Sequence, residues 1–533
     1  MTRTLPRLLP AAAALLTALA TALALPGTGD ASPNAGTTTV QPLPPELEQI
    51  RQAEAVALYG SPEIRPLDQR KTSIATLGDS EISGEGQGPY ERGTNGDDDG
   101  DGDQNWCHRA LHAAVHRTSI PVDETYNLAC SGGRSANLIQ GSGARQWDEL
   151  NQGDYLAIKA RNTHVKLVWI VVGANDPGGL EFGPLATDCA ISRIFFLGEC
   201  WRKYSNQIQA RVDVSSAEAE KAITSVKRTM AEAGYQPSDY ELVVMSYPSP
   251  VSPDVEDNPN FPGWYNGGCL FYLRDAAFGR NKVVPLFEQG IRRAALAAGA
   301  RYLDASRLFH GHEPCTDNTW VSGITYDGSN PLDPNAWRQS AHPNARGHGA
   351  FASCMTQFYA HPTWNIATCV DPASTGTAQL YPGSMEFRQL RNAASGLCVD
   401  SEGYSTRNGY RLLQYTCHGG GNQGWWYDQT LRSLHIELTH DRCADVSGGV
   451  AAGRPLIVYD CHGGSNQKFV LDGGLIRSAA QPDLCVAAPN TDNGAPLTLA
   501  TCDPDDARQH WIAEEQTGTR GFGYDDWIPS SAY

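Results

Sequence analysis

The sequence predicts two folded domains: a three-layer α/β domain with a parallel sheet, followed by an all-β domain. Between residues 67 and 371, apolar runs rich in β-branched residues alternate with amphipathic segments, which indicates alternating strands and helices. From residue 384 onward, one pattern of short apolar runs and Gly, Asn and Asp turns occurs three times, with a period a little over forty residues. The length of 533 residues also exceeds what one hydrophobic core serves.

Composition excludes some classes of function. The formal net charge of −18 argues against a nucleic-acid or anionic-membrane partner, because binding to phosphate requires clustered Lys and Arg. No run after the N-terminus approaches the roughly 20 apolar residues of a membrane span. The 14 cysteines suit an oxidising compartment. We expect no cofactor and a monomer.

The N-terminus has the pattern of an export signal. Arg3 and Arg7 precede an apolar stretch from 8 to 25 that ends in small residues. A retained membrane anchor is the alternative. We predict a signal peptide over 1–31, a secreted, extracellular protein, and a linker with one helix over 32–66.

The elements of the first domain follow in order. Strands are predicted at 74–77, 167–172, 241–245 and 301–303. Helices are predicted at 46–58, 106–117, 215–233 and 285–298. Continuous apolar strands separated by helices predict a sheet with helices on both faces.

An acidic segment lies between the first strand and the 106–117 helix. Asp97, Asp99, Asp101 and Gly102 match the front half of a calcium loop, but His108 stands where its bidentate Glu belongs. The Asp97–Asp103 loop is therefore either a calcium site or a solvated insertion.

Three histidines recur at helical spacing in the 106–117 segment. They are His108, His112 and His116, which would share one helix face. A metal site and ordinary packing are both open readings, and no Cys-x-x-Cys zinc spacing occurs. We predict no metal.

Four motifs carry chemistry. They are Gly78-Asp79-Ser80, the small-residue turn 128–133, Gly173-Ala174-Asn175-Asp176 and Ser340-Ala341-His342-Pro343-Asn344. In this order they resemble the SGNH (GDSL) hydrolases, and most of all the secreted bacterial esterase and lipase branch. The resemblance covers about residues 67–371 and implies a three-layer α/β fold that hydrolyses esters.

The resemblance implies a role for each motif. Ser80 would be the nucleophile and His342 its base. The oxyanion would be bound by the backbone N–H groups of Ser80 and Gly132 and by the side-chain amide of Asn175.

The sequence departs from the common family pattern beside the histidine. Many members have Asp three residues before it, where this chain has Gln339. Some secreted relatives use a main-chain carbonyl instead. We therefore expect the carbonyl of Gln339 or Ser340 to accept the Nδ1 proton of His342, with Asp333 as the alternative.

The order of the cysteines suggests disulfides between sequence neighbours, although sequence alone leaves the connectivity open. The last three pairs each fall within one repeat. The expected pairs are Cys107–Cys130, Cys189–Cys200, Cys269–Cys315, Cys354–Cys369, Cys398–Cys417, Cys443–Cys461 and Cys485–Cys502.

The three repeats resemble the ricin-B-type lectin, a β-trefoil marked by Gln-x-Trp sequences, over 384–514. A linker is expected over 372–383 and a tail over 515–533. The resemblance implies sugar contacts from an Asp, an aromatic ring and an Asn in each of the first two units. These residues are Asp400, Tyr415 and Asn422, then Asp445, Tyr459 and Asn466. The third unit has Ala487, Ala500 and Arg508 instead, so we expect no sugar there.

Together these features predict a secreted serine ester hydrolase, held on polysaccharide by a lectin module, that acts on lipid or polymer-linked acyl esters. Two alternatives are a carbohydrate deacetylase acting on cell walls and a carbohydrate-binding protein with an inactive hydrolase domain. The segment Ile194-Phe195-Phe196-Leu197 could form a lid or apolar wall of the site, or ordinary core.

Overall fold

The computed structural model describes the chain from residue 40 to residue 515 with short gaps. The described residues are 40–96, 105–252, 269, 271–314, 316, 318–323, 325, 337–371, 376–405, 407–429, 431–438 and 442–515. They belong to one compact unit. The predicted signal peptide, the Asp97–Asp103 loop, Asp333, Cys315 and tail residues 516–533 lie outside them.

The first domain is built on a sheet that has seven strands in the described part of the chain, in the order β2-β1-β3-β4-β5-β6-β7. The strands are β1 Thr72–Gly78, β2 Glu124–Asn127, β3 His164–Val171, β4 Glu241–Met245, β5 Arg301–Asp304, β6 Ile366–Val370 and β7 Gln379–Pro382. β1 to β6 pair in parallel, whereas β7 is antiparallel to β6. Part of the expected 372–383 linker is therefore a strand of this sheet.

Helices cover both faces of the sheet. They are α1 Pro45–Tyr59, α2 Ser80–Ser83, α3 Gln152–Asn162, α4 Phe182–Ile194, α5 Trp201–Tyr204, α6 Ile208–Glu232, α7 Leu273–Phe278, α8 Val284–Ala297 and α9 Ala345–Tyr359. Successive β1 side chains enter different cores, as the alternation of a strand requires. Ala75 and Leu77 pack with α3, α6 and α8, whereas Ile74 packs with α9.

The predicted strands and helices are confirmed, except for the helix at 106–117; most ends shift by a few residues, and the helix predicted at 215–233 begins earlier, at Ile208. That segment is irregular and contains only a short 3-10 turn, Ala114–Arg117. His108 is buried with φ of 45°, and His112 is exposed, so the histidines do not share a helix face. The helical spacing gave a wrong prediction because the Cys107–Cys130 disulfide and the contact of His108 with Glu85 hold this segment in a non-helical conformation.

The second domain is an all-β domain of short antiparallel strands, consistent with a β-trefoil. Its strands are β8 Arg388–Asn392, β9 Cys398–Ser401, β10 Leu412–Tyr415, β11 Trp425–Asp428, β12 Ser433–Ile436, β13 Arg442–Val446, β14 Leu456–Asp460, β15 Phe469–Asp472, β16 Leu475–Ser478, β17 Leu484–Ala487, β18 Thr498–Thr501 and β19 Trp511–Glu515. β19 pairs with β8, so the last repeat closes onto the first. Trp425 and Trp511 occupy the shared core, and their indole N–H groups donate to backbone carbonyls.

Disulfides join sequence neighbours in both domains. The structure contains Cys107–Cys130, Cys189–Cys200, Cys354–Cys369, Cys398–Cys417, Cys443–Cys461 and Cys485–Cys502. Cys269 is also disulfide-bonded, but its expected partner is not among the described residues.

The two domains contact each other through arginines. The guanidinium of Arg280 donates to the carbonyl of Leu438 at 3.1 Å, and that of Arg307 donates to the carbonyl of Glu437 at 2.7 Å. Within the described ranges, no helix combines the length and apolarity that crossing a bilayer requires.

Candidate active site

A sharp turn at the end of β1 positions Ser80. β1 ends at Gly78 with φ of 146°, and a Cβ there would stand 1.9 Å from the carbonyl oxygen of Val171, so only glycine is tolerated. Gln152 binds both the N–H and the carbonyl of Gly78, at 2.7 and 2.8 Å. Asp79 then caps α2, because its carboxylate accepts from the N–H of Glu81 at 3.1 Å. Ser80 is thereby the first residue of a helix at the carboxyl edge of the sheet.

His342 reaches Ser80 from the start of α9. Its Nε2 lies 2.8 Å from the Ser80 Oγ, which is the contact a general base needs. Asn344 sets the position of this segment by capping α9, accepting from the N–H groups of Arg346 and Gly347 at 2.9 and 3.3 Å. The two motifs, far apart in the chain, therefore meet as a Ser–His pair.

A backbone carbonyl contacts the other nitrogen of His342. The Nδ1 lies 2.8 Å from the oxygen of Ser340. The carbonyl of Gln339 faces Gly86 instead, 3.1 Å from where a Cβ would stand on that glycine. Of the two expected acceptors, only Ser340 contacts the imidazole. This contact fixes the tautomer in which Nδ1 carries the proton and Nε2 is free to accept one.

The three expected oxyanion donors line one cavity. Gly132 has φ of 76°, a left-handed conformation that favours glycine, and its position is open to the cavity. The amide of Asn175 donates to the carbonyl of Gly133 at 3.1 Å, which ties the two loops together. The carboxylate of Asp176 reinforces this tie by accepting from the N–H and hydroxyl of Ser135, at 2.8 and 2.7 Å.

A buried carboxylate lies behind the Ser–His pair and was not anticipated from the sequence. Glu85 is inaccessible to solvent, and its Oε2 accepts from the Ser131 hydroxyl and contacts Nδ1 of His108, both at 2.6 Å. The His108 ring stacks on Tyr90 with centroids 4.6 Å apart. The three histidines proposed as a possible metal cluster therefore separate, and one of them holds a carboxylate.

Charge couples Glu85 to His342. Burial favours the neutral form of Glu85, but its hydrogen bonds with His108 and Ser131 and its electrostatic interactions with the nearby imidazoles outweigh burial and lower the pKa of Glu85. Burial also lowers the pKa of His342, and the charge of Glu85 and the Ser340 carbonyl offset only part of this effect. His342 is thus kept neutral, as a base must be, beside a buried negative charge that favours its protonated form.

Asp79 is the second buried carboxyl group of the site. The Tyr247 hydroxyl donates to its Oδ2 at 2.5 Å. Burial raises the pKa of Asp79 to about 7 despite this hydrogen bond. Asp79 acts on the turn that carries Ser80 and does not contact His342 among the contacts described.

The Ser–His pair opens into a large apolar cavity of about 960 Å³. Much of its wall comes from α4, the residues before α7 and the start of α8. Apolar lining residues include Leu185, Ile191, Ile194, Phe271, Val283 and Phe287. Of the segment 194–197, Ile194 is part of this wall, whereas the next three residues are exposed and are not ordinary core.

The first two trefoil units each place an Asp, an Asn and an aromatic ring together. The Asp400 carboxylate accepts hydrogen bonds from the side-chain amides of Asn422 at 2.9 Å and Gln423 at 2.8 Å. The ring of Tyr415, in the same repeat, is exposed. Burial raises the pKa of Asp400. Asp400 and Asn422 are themselves buried, so of these three residues only the ring of Tyr415 is exposed.

The second unit repeats the geometry. Asp445 accepts from Asn466 at 2.8 Å and from Gln467 at 3.0 Å, with Tyr459 exposed. In the third unit, Arg508 pairs with Asp506 at 2.8 Å and Ala487 supplies no carboxylate.

In each of the first two units, a histidine contacts the Asp carboxylate. His418 Nε2 lies 3.4 Å from Asp400, and His462 Nε2 lies 3.2 Å from Asp445. Their rings meet those of Tyr415 and Tyr459 edge-on. The sequence carries a signal for them, because Cys-His-Gly-Gly occurs in these two units and Cys-Asp-Pro in the third.

The described residues offer two clusters of metal-ligating types, but neither is a plausible ion site. Each contains both cysteines of one disulfide, which have no thiolate to donate. The Asp97–Asp103 loop stays untested.

Comparison with known proteins adds family information. The model of the GDSL-like lipase/acylhydrolase family matches residues 76–350, just over half of the chain. Models of the ricin-type β-trefoil lectin domain match residues 432–520, and a related lectin-like model matches residues 379–459.

Individual relatives match parts of the chain. Polypeptide N-acetylgalactosaminyltransferase 6 of Bos taurus is 32% identical over 131 residues, which are 24% of this chain and 20% of that protein. The extracellular lipase of Streptomyces rimosus is 19% identical, with a TM-score of 0.38, over 54% of this chain and 99% of its own. The phospholipase A1 of Streptomyces albidoflavus is 21% identical, with a TM-score of 0.35, over the same shares. On the family-model matches, the chain belongs to the GDSL-like lipase/acylhydrolase family and carries a ricin-type β-trefoil lectin domain.

Proposed function

We propose that this protein is a secreted serine ester hydrolase that cleaves lipid esters with medium or long acyl chains. The observation that carries the proposal is the 2.8 Å contact between Ser80 Oγ and His342 Nε2 at an apolar cavity of about 960 Å³. An acetyl group would leave most of such a cavity unfilled, whereas an alkyl chain would bury its surface there at about 0.8 kcal/mol per CH₂. The cavity therefore favours lipid esters over the alternative of a carbohydrate deacetylase.

The reaction proceeds by acyl transfer through Ser80. His342 Nε2 takes the proton of the Ser80 hydroxyl as its oxygen attacks the ester carbonyl. The Ser80 and Gly132 N–H groups and the Asn175 amide stabilise the oxyanion. The tetrahedral intermediate collapses, the alcohol leaves with the proton from His342, and an acyl-enzyme remains. Water, deprotonated by His342, then releases the carboxylic acid and restores Ser80.

The Ser340 carbonyl orients the imidazole in place of the usual carboxylate. A carbonyl fixes the tautomer but does not neutralise the imidazolium that forms at the transition state. We assign the stabilisation of the imidazolium to Glu85, because its buried negative charge favours the protonated form of His342. Glu85 is a positioning residue in this scheme and does not touch substrate.

The trefoil supplies the second part of the proposal, which is retention on carbohydrate. Asp400, Tyr415 and Asn422 would bind one sugar, and Asp445, Tyr459 and Asn466 a second. Two weak sites on one chain raise the local concentration of the enzyme on a polysaccharide. We assign the hydrolase domain to residues 67–382, which includes β7, and the lectin domain to 384–514. Export would be directed by residues 1–31 and fits the disulfides of both domains.

The test is hydrolysis of a chromogenic ester series from acetyl to palmitoyl by the native protein and by Ser80→Ala. We expect activity that rises beyond the short esters and is lost in Ser80→Ala. Activity confined to acetyl esters would support the deacetylase instead. A folded protein that hydrolyses no ester of the series would contradict the proposal.

A further inference from the structure

Three consecutive large apolar side chains project into solvent just beyond α4. Phe195, Phe196 and Leu197, which we call the α4 tip, are 66%, 73% and 71% exposed. In the chain as far as it is described, no other three consecutive large apolar residues are all exposed. Exposed apolar surface of this kind marks a contact with a partner or a lipid, because leaving it in water is unfavourable.

The α4 tip is a braced protrusion. The N–H groups of Phe195 and Leu197 donate to carbonyls of α4 at 3.0 and 2.8 Å. The Cys189–Cys200 disulfide joins the chain on the two sides of the tip. The Asp275 carboxylate fixes the returning chain by accepting from the N–H groups of Cys200 and Trp201. Several independent contacts therefore fix the backbone from which these apolar side chains project.

The tip is continuous with the wall of the catalytic cavity. Ile191 and Ile194, on the same helix, line the cavity that holds Ser80. Ile191 is itself 43% exposed and connects the wall to the tip. Apolar surface thus extends along one helix from solvent to the cavity, whereas the tip residues themselves do not line it.

The charge around the tip differs from that of the whole chain. Residues 182–204 contain three basic side chains, Arg193, Arg202 and Lys203, and two acidic ones, Asp188 and Glu199, for a formal charge of +1. The whole chain carries −18. Arg202 pairs with Glu199 at 3.2 Å and Lys203 with Asp188 at 2.9 Å, so these four charges largely offset each other. The Arg193 guanidinium lies 5.5 Å from the centre of the Phe196 ring. Apolar rings beside one arginine in a nearly neutral patch suit a layer of zwitterionic headgroups, because such a surface carries no net charge and does not repel the acidic chain.

We propose that the α4 tip inserts into the surface of a zwitterionic phospholipid layer and brings the mouth of the hydrolase to its lipid substrate. The proposal rests on the proposed ester hydrolase function and adds where the substrate is met. The tip would hold the protein at the surface, and an acyl chain would pass along α4 to the cavity. Phe195, Phe196 and Leu197 would contribute by burial of their side chains in the layer.

Binding is tested with full-length protein and phosphatidylcholine vesicles. Ser80→Ala serves as the parent, so that the vesicles stay intact. Phe195→Ser, Phe196→Ser and Leu197→Ser combined should weaken vesicle partitioning by about tenfold or more. The control combines Leu296→Ser and Ile512→Ser, which are 40% and 50% exposed elsewhere, and should leave partitioning unchanged. No binding by the parent, or an equal loss in both variants, would overturn the proposal.

Turnover separates this proposal from the one on which it rests. With Ser80 intact, the tip variant should hydrolyse a water-soluble short ester at the native rate and vesicle-borne phospholipid about tenfold more slowly. A native protein inactive on the soluble ester would contradict the ester hydrolase itself. Full soluble activity together with unchanged vesicle hydrolysis in the tip variant would contradict only the docking. A native dimer that the tip variant converts to monomer, without vesicle binding, would assign the tip to a second copy instead.

Discussion

The hydrolase cavity and the trefoil sites use the same residue types in opposite ways. His342 is half-buried, its Nδ1 faces a backbone carbonyl, and the charge of the buried Glu85 acts on it. His418 and His462 stand beside the exposed rings of Tyr415 and Tyr459, and each contacts a carboxylate directly. A histidine that acts as a general base needs an unprotonated Nε2, whereas a histidine beside a proposed sugar site needs only a fixed position.

In the proposed scheme, catalysis and retention on carbohydrate therefore depend on separate residues of the chain. The proposed catalytic residues all lie in the first domain and the proposed sugar contacts all lie in the second. A substitution in one set should therefore leave the function of the other intact.

Replacement of the nucleophile should have the largest effect. Ser80→Ala removes the covalent step, so kcat for ester hydrolysis should fall by about three to six orders of magnitude. Retention on insoluble polysaccharide should not change. Steady-state kinetics and a pull-down on the same preparation measure both. A loss of retention in this variant would break the separation of the two domains.

Removal of one oxyanion donor should have the next largest effect. Asn175→Ala should lower kcat by about 10²–10³ with little change in KM, because the amide acts mainly on the transition state. Gln146→Ala, at another lining position of the cavity, serves as the matched control. A change confined to KM would show that Asn175 binds substrate and does not stabilise the oxyanion.

Loss of both proposed sugar sites should weaken retention and spare turnover. Asp400→Ala with Asp445→Ala should weaken binding to a panel of insoluble polysaccharides by about tenfold or more, since each loses a hydrogen-bonding carboxylate. Arg508→Ala, in the third unit, should have no effect. Hydrolysis of a soluble ester should stay at the native rate.

The two aspartates are buried, so a second variant guards against a simple loss of folding. Tyr415→Ala with Tyr459→Ala removes exposed rings and leaves the buried hydrogen bonds in place. It should weaken binding similarly with an unchanged Tm. If both double variants were retained on polysaccharide like the native protein, the proposed sugar sites of the trefoil would be contradicted.

Neutralisation of Glu85 should have the smallest effect and the most specific signature. The carboxylate raises the pKa of His342, so Glu85→Gln should lower that pKa further. The acid limb of kcat/KM, which reports protonation of the base, should move to lower pH. The plateau should fall about tenfold, because the imidazolium is less stabilised at the transition state.

A pH profile distinguishes this role from a purely structural one. Glu63→Gln removes an exposed carboxylate and should leave the profile unchanged. An acid limb that stays in place or moves to higher pH in Glu85→Gln would exclude the electrostatic role.

Features that depend on a local sequence pattern could be predicted from the sequence. The apolar runs predicted the four central strands β1, β3, β4 and β5, because burial on both faces leaves a continuous apolar signal, as in β4 at Glu241–Met245. The ordered motifs pointed to Ser80 and His342, which the structure brings within 2.8 Å across 262 positions of the chain. Whether the carbonyl of Gln339 or that of Ser340 contacts His342 depended on the backbone conformation around Ala341, where φ is 60°. The residue types in this segment do not predict that conformation.

Features that depend on long-range contacts escaped the sequence. The pairing of Glu85 with His108 has no periodic signal, and the helical spacing of His108, His112 and His116 concealed it. β7 escaped as well, because Gln379–Pro382 forms a strand only by pairing with the edge of the sheet. His418 and His462 were readable from the repeats, since comparison of the three units isolates the histidine after the second cysteine.

Covalent labelling tests most directly whether Ser80 is the nucleophile. The native protein, treated with a long-chain fluorophosphonate and analysed by peptide mass spectrometry, should carry one adduct per chain, on Ser80, with parallel loss of esterase activity. Ser80→Ala and a protein preincubated with a long-chain ester should carry little or none. An adduct on another residue, or full labelling of Ser80→Ala, would contradict the account.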